Sequence, residues 1–232
     1  ITKYNFLIKK GQTVMIKLNN TLSLDIIYED KDIIVVNKPY GLLSISTNNE
    51  NDETMYRKVS DYIKKDDPHN KIFVIHRLDK ETSGLIMFAK NAKIKELLQA
   101  SWNELVIKRT YLAIVEGKLE SGTIKSYLKE NKALMVYSTN NTSEGKLAIT
   151  NYKMLKQSTN YTWLEVEIET GRKNQIRVHM SDLGHPIVGD MKYGSKTNPY
   201  NRLCLHAYSL IITNPYTKKP MKFIAKPIDI FR

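Results

Sequence analysis

The segment FVIHRLDKETSGLIMFA, residues 73–89, constrains the fold more than any other stretch of the chain. Phe73–Ile75 and Leu85–Ala89 are apolar runs of strand length, and of the nine residues between them only Leu78 is a large apolar one. Such a segment calls for two partly buried strands joined by a loop that brings Arg77 and Asp79 to a sheet edge. Thr82, Ser83 and Gly84 suit local hydrogen bonds and a tight return. On these residues alone, a polar hairpin carrying a surface ion pair is the simpler account.

The rest of the chain reads mainly as strands. In DIIYEDKDIIVVNKPYGLL two apolar runs enclose the charged turn Glu29–Asp32, and Lys38–Pro39 closes the second run, which predicts a hairpin. TYLAIVEG is strand-like and ends at Gly117. LEVEIETG alternates, with Leu164, Val166 and Ile168 on one face and Glu165, Glu167 and Glu169 on the solvated other. Helical spacing of Met55, Val59, Tyr62 and Ile63 predicts an amphipathic helix. Ile94, Leu97, Leu98, Trp102 and Leu105 predict another over residues 92–105. NQIRVHMSDLGHP predicts a short helix with Ile176, Met180 and Leu183 on one side, stopped by Gly184 and Pro186. The expected class is α+β, with a mixed, mostly antiparallel central sheet flanked by helices.

Charge narrows the partners. Thirty-six Lys and Arg against 24 acids give a net charge of +12, and from Gly171 onward 11 basic residues face three acids. This asymmetry favours a polyanion, nucleic acid before membrane. No stretch approaches the ~18 apolar residues of a membrane span. The opening ITKYNFLIKKGQ lacks both the apolar core of a secretory signal and an initiating Met, so the chain is expected to begin within a longer protein. A single cysteine, Cys204, excludes an internal disulfide and a cysteine-based zinc site, and a cytoplasmic location is the natural expectation. Gly-rich phosphate loops, G-x-S-x-G elbows and paired Cys motifs are absent. His179, His185 and Asp190 lack a third nearby histidine, so structural or RNA-contacting histidines are expected rather than metal ligands.

Four segments together resemble one family. HRLDKETSGL (76–85) resembles the catalytic signature of the RluA class of RNA pseudouridine synthases. KRTYLAIVEG (108–117), TGRKNQIRVHMSDLGHPIVGDMKYG (170–194) and RLCLHAYSL (202–210) resemble its second, third and last motifs, in order across residues 24–230. FLIKKGQTVMI, near the start, resembles the end of an RNA-binding domain of ribosomal-protein type. The implied organisation is a domain tail over residues 1–20 and a pseudouridine synthase catalytic domain over 21–232. One departure is visible: Asn174 stands where many members carry His. Asn offers a donor and an acceptor, so altered RNA contact and retained chemistry are expected.

The resemblance implies an isomerase that acts on uridine in ribosomal or transfer RNA, without cofactor or metal and without an obligate protein partner, as a monomer. It makes Asp79 the reacting carboxylate, either as covalent nucleophile or as the base that starts glycal formation. It makes Arg177 the cation that keeps Asp79 charged and Tyr111 the ring that packs on the target base. Arg77 would fill the space left when that base flips out. Lys108, Arg109, Arg172 and Lys173 are the expected phosphate contacts, with Asn174 and Gln175 also on the RNA side. The loops Thr47–Asp52 and Asn131–Gly145 are expected to govern target choice. Two rivals are a non-catalytic RNA-binding or assembly factor on the same scaffold and a base-releasing glycosidase.

Overall fold

The computed structural model describes residues 24–46 and 52–231. The expected domain tail over residues 1–20, and all of the 47–52 loop except Asp52, lie outside them.

Strands β1 (Ile26–Glu29) and β2 (Ile33–Lys38) form the expected hairpin. Its charged turn is closed by Asp30, whose Oδ1 accepts the N–H groups of Asp32 and Ile33, both at 2.8 Å. Helix α1 (Met55–Ile63) follows, its first turn capped by the Thr54 side chain. Strands β3 (Phe73–Val74) and β4 (Ser83–Ala89) flank the polar loop.

The predicted helix over 92–105 is instead two, α2 (Ala92–Ala100) and α3 (Trp102–Leu105). Ser101 leaves helical geometry between them (φ −110°, ψ 20°), and the turn lets Leu105 feed directly into β5 (Val106–Glu116). Strands β6 (Gly122–Glu130), β7 (Val136–Thr139), β8 (Lys146–Gln157) and β9 (Tyr161–Ile168) continue as antiparallel neighbours. After α4 (Gln175–Asp182) the chain returns through β10 (Leu205–Thr213) and β11 (Pro220–Ile224).

The sheet order is β1-β2-β4-β10-β5-β9-β8-β6-β7, with β11 also on β10 and β3 also on β4. Among these named strands every pairing is antiparallel except β4 with β10. That single parallel junction positions the site. β10 pairs with β4 only at Ser83 and Gly84, and β3 takes the same edge only at Phe88 and Ala89. Between them the edge is open, and the Met87 N–H is received by His76 Nε2 at 3.2 Å. A cleft opens where the two halves of the sheet part.

Burial explains why β2 and β4 read as continuous apolar runs. Ile33 and Val35 pack with Leu85, Met87, Ile94 and Leu98 on one face, and Ile34 and Val36 pack with Met55, Val59 and Ile86 on the other. Helices cover both faces, so period-two alternation disappears. β9 keeps it: Leu164, Val166 and Ile168 are buried beneath α4, while Glu165 and Glu167 are only partly covered. The one-sided stripe expected for α4 gives way to burial of every residue from Gln175 to Met180. Its polar side chains must therefore be satisfied internally, and they build the site.

Candidate active site

Asp79 lies in the loop between β3 and β4, pinned on both sides. The Ser44 hydroxyl donates to the Leu78 carbonyl at 2.6 Å and accepts the Leu78 N–H at 3.0 Å. Beyond Asp79, the Lys80 carbonyl accepts from the Gly41 N–H at 3.0 Å and from Lys38 Nζ at 3.1 Å. The Lys38 ammonium also donates to the carbonyls of Leu42 (2.7 Å) and Pro39 (3.0 Å). Lys38 is fully buried. Burial lowers its pKa to about 8, against the opposing pull of Asp79 and Glu81.

The Thr82-Ser83-Gly84 run works over longer range than its composition suggests. Arg202 Nη2 donates to Ser83 Oγ at 2.7 Å, and Ser83 Oγ stands 2.9 Å from His206 Nδ1. His206 Nε2 faces the Ala225 carbonyl at 3.2 Å, so Nε2 carries the proton and Nδ1 accepts from the serine. Burial pushes His206 down to about 4 and keeps it neutral. Gly84 has φ +113°, and a Cβ there would stand 2.2 Å from the Ala207 carbonyl oxygen. Only glycine permits the parallel strands to meet at that point.

Across the cleft, α4 supplies Arg177. Its Nε and Nη2 each donate at 2.7 Å to Asp190, a bidentate pair in which the carboxylate is 2% exposed. Nη1 remains for Asp79 Oδ2 at 3.6 Å and Glu81 Oε2 at 3.8 Å. Burial raises the Asp79 pKa above the ordinary carboxylate value; Arg177 opposes that rise and Glu81 adds to it. The carboxylate keeps 30% of its side-chain surface and borders a cavity of about 750 Å³. Tyr111, on β5 opposite Ala207 and Val166, lines the same cavity. Burial pushes its phenol up to about 12, so the hydroxyl stays protonated through neutral pH. A second cavity of about 390 Å³ shares Asp79 and Arg177 with the first.

The cleft thus brings Asp79, Tyr111, Arg177 and Arg77 together. Arg77 is exposed and makes no hydrogen bond or ion pair with a described residue. Arg109 and Arg172 line the cavity too, with Arg109 Nη2 donating to the Glu169 carbonyl at 2.8 Å and Arg172 Nε to the Leu147 carbonyl at 2.9 Å. Lys173 pairs with Glu130 at the rim, and Lys108 pairs with Glu167 at 2.9 Å.

Asn174 and Gln175, expected on the RNA side, line the cavity while being only 7% and 3% exposed. Gln175 Oε1 accepts from the Thr170 hydroxyl (2.7 Å) and the Arg172 N–H (3.1 Å), while Nε2 donates to the Ile149 carbonyl and Thr150 Oγ1, both at 2.9 Å. Its amide ties the 170–175 turn to β8. His179 sits between Thr150 Oγ1 (2.8 Å) and Ser126 Oγ (3.0 Å), and His185 Nδ1 faces the Glu116 carbonyl at 2.8 Å. Among the described residues, no cluster of three or more His, Cys, Asp or Glu could hold a metal ion.

The part that three residues play in the site escapes a reading of the motifs alone: Lys38, which lies outside them, and Asp190 and Tyr193, which lie within the third. Lys38 reads as the polar end of a strand, and Asp190 follows Arg177 by 13 residues with nothing local to pair them. The clue available is indirect: Arg177 stands between Ile176 and Val178, and an arginine enclosed with such apolar neighbours needs a buried acid somewhere.

Comparison with known proteins agrees with this architecture. Residues 32–182 match the family model described as RNA pseudouridylate synthase. The chain is 33% identical over 228 residues to the uncharacterized RNA pseudouridine synthase YhcT of Bacillus subtilis (strain 168), covering 92% of this chain and 74% of that protein. It is 38% identical to ribosomal large subunit pseudouridine synthase C of Rickettsia bellii (strain RML369-C), over 87% of this chain and 67% of that protein. Among solved structures, human RNA pseudouridylate synthase domain containing 4 superposes with a TM-score of 0.73 at 23% identity, covering 89% of this chain and 90% of that one; it supports the fold. Among the described residues, no helix is long and apolar enough to cross a membrane. The chain belongs to the RNA pseudouridylate synthase family, in its RluA class, and is an isomerase that converts uridine in RNA to pseudouridine.

Proposed function

We propose that this isomerase modifies specific uridines in ribosomal RNA, with Asp79 as the reacting carboxylate and the target base flipped into the cavity. The observation that carries this reading is the placement of Asp79. It is a carboxylate at a cavity wall, 3.6 Å from a guanidinium that is itself locked to another acid. In the isomerisation the N1–C1′ bond breaks, the uracil turns, and C5 bonds to C1′. The proton on C5 leaves and N1 gains one, so nothing is oxidised and no group is lost. Asp79 acts at the sugar, as nucleophile or as base, and Arg177 keeps it ionised in a partly desolvated site.

Tyr111 packs its ring on the uracil. Because burial holds its pKa at about 12, its hydroxyl serves as a proton relay at C5 rather than as a standing phenolate. Arg77, exposed and without a hydrogen bond or ion pair to a described residue, fills the space that the base leaves. Unstacking costs a few kcal/mol, which contacts to the displaced nucleotide offset. Arg109, Arg172 and Lys173 neutralise backbone phosphates along the rim, and Lys108, outside the cavity lining and paired with Glu167, meets the RNA farther along β5. The cytoplasm is the compartment of such a substrate, and the chain acts as a monomer without cofactor.

Ribosomal RNA is favoured because relatives named for the large ribosomal subunit match most of the chain. Mapping pseudouridines in RNA from cells with and without this protein tests the assignment. Loss of one or a few positions in ribosomal RNA supports it; loss confined to transfer RNA overturns it.

A further inference from the structure

Asn174 occupies a backbone conformation that few side chains accept. With φ 54° and ψ 18° it is left-handed, a region where Asn, Asp and His are enriched among residues other than glycine. It immediately precedes α4, yet its side chain makes no capping bond to that helix. The amide lies instead between the Asp79 carboxylate and the Tyr193 hydroxyl.

The polarity of this contact is fixed from its far end. The main-chain N–H of Val136, the first residue of β7, donates to the Tyr193 oxygen at 3.3 Å. A main-chain N–H can only donate, so the Tyr193 hydroxyl proton needs another acceptor, and the Asn174 amide is 2.9 Å away. The amide therefore turns its oxygen to Tyr193 and its nitrogen to Asp79, 2.7 Å from Oδ2 and 3.3 Å from Oδ1. The reverse orientation would press the amide oxygen against a carboxylate oxygen at 2.7 Å, with no proton between them. It would also leave the buried Tyr193 proton unpaired, and would gain only a 3.5 Å contact from Arg177 Nη1. A short charge-assisted bond outweighs a long one, and a buried unpaired donor is costly.

Tyr193 supports the site a second way, since the Arg177 guanidinium lies over its ring at 5.0 Å. One tyrosine therefore sets both neighbours of Asp79, the cation through its ring and the amide through its hydroxyl.

We propose that Asn174, oriented by Tyr193, is a positioning residue: it donates a hydrogen bond that holds the Asp79 carboxylate ionised and turned to the cavity. This rests on the reading of Asp79 as the reacting group. The division of labour has a physical reason. Asp190 holds Arg177 back, so Asp79 is not quenched in a tight salt bridge, and a neutral N–H supplies the remaining stabilisation without cancelling the charge that reacts.

The test is a carbon-13 NMR titration of the Asp79 carboxyl, assigned by its disappearance in Asp79→Asn. It is run beside single-turnover rates against pH for wild type, Asn174→Ala, Asn174→His and Tyr193→Phe. Tyr193→Phe keeps the ring and removes only the hydroxyl, so it decides the matter if Asn174→Ala fails to fold. Asn174→Ala should raise the Asp79 midpoint by about one pH unit and Tyr193→Phe by less. Asn174→His, which retains a donor, should restore it. The acid limb of the rate profile should move with the midpoint, while RNA affinity stays within about twofold. A midpoint unchanged in both the Ala and Phe variants overturns the proposal. Midpoints that move while rates hold at every pH would retain the bond, yet remove Asn174 and Asp79 together from the reaction.

Discussion

Arg177 directs its two shortest hydrogen bonds, both 2.7 Å, to Asp190 and meets Asp79 only at 3.6 Å. A cation held this way is a fixed element of the site rather than a partner that Asp79 must recruit. The buried acid is therefore as necessary as the arginine. Removing one member of a buried pair typically costs 3–5 kcal/mol. Asp190→Asn, which keeps an acceptor but loses the charge, should lower unfolding stability by about 3 kcal/mol and turnover by roughly tenfold or more. Urea denaturation and single-turnover assays check the two effects separately.

Arg77 is exposed and makes no hydrogen bond or ion pair with a described residue, as the proposed role in base flipping requires. Arg77→Ala should slow modification of a uridine in structured RNA much more than that of a uridine in an unpaired strand, by roughly tenfold in relative rate. Parallel assays on a hairpin and on an unstructured oligonucleotide measure the ratio, and an equal loss on both would remove Arg77 from base flipping.

Gly84 sits where β4 and β10 meet in parallel, with no room for a side chain. A methyl group there must push apart the junction that holds the two halves of the sheet. Gly84→Ala should cost about 3 kcal/mol or more, read as a lower urea midpoint, with activity falling as the cleft widens.

Acid should unfold the protein earlier than its carboxylates alone require. His179 and His206 are buried and His76 is partly buried, and all three are held neutral, each with its pKa lowered to about 4 chiefly by desolvation. Their rings titrate near 6.5 once unfolded. The unfolded chain then binds more protons between those values, so the stability they contribute is complete above pH ~6.5 and is lost as pH falls toward ~4. The summed loss is on the order of several kcal/mol. Stability measured from pH 7.5 to 4 should show this decline, and His206→Asn, which keeps hydrogen-bonding capacity at Ser83, should flatten part of it.

What the sequence discloses follows from the range of each interaction. The β1–β2 hairpin, α1 and the alternation of β9 rest on spacing within about ten residues and are legible directly. The break at Ser101 is not, because residues 92–105 keep helical periodicity while tertiary packing turns the chain into β5. The polar loop around Asp79 is legible as a site only with the accompanying motifs. Nothing local reveals that Ser83 is tied to Arg202 and His206, more than a hundred residues away. Asn174 and Gln175 sit in a basic, polar turn that reads as RNA-facing. Both line the cavity, yet they are buried because α4 is packed on every side from Gln175 to Met180, and the amides of Gln175 and of Asn174 just before it turn inward to β8, Asp79 and Tyr193.

The most direct measurement uses RNA carrying tritium at C5 of uracil, incubated with wild type and with Asp79→Asn, following release of label into water. Folding of the variant is verified by circular dichroism and its RNA affinity by direct titration. Wild type should release label without free uracil, and Asp79→Asn should bind RNA within about twofold of wild type and release none. Release by Asp79→Asn near the wild-type rate would contradict the account, and free uracil among the wild-type products would contradict it as well.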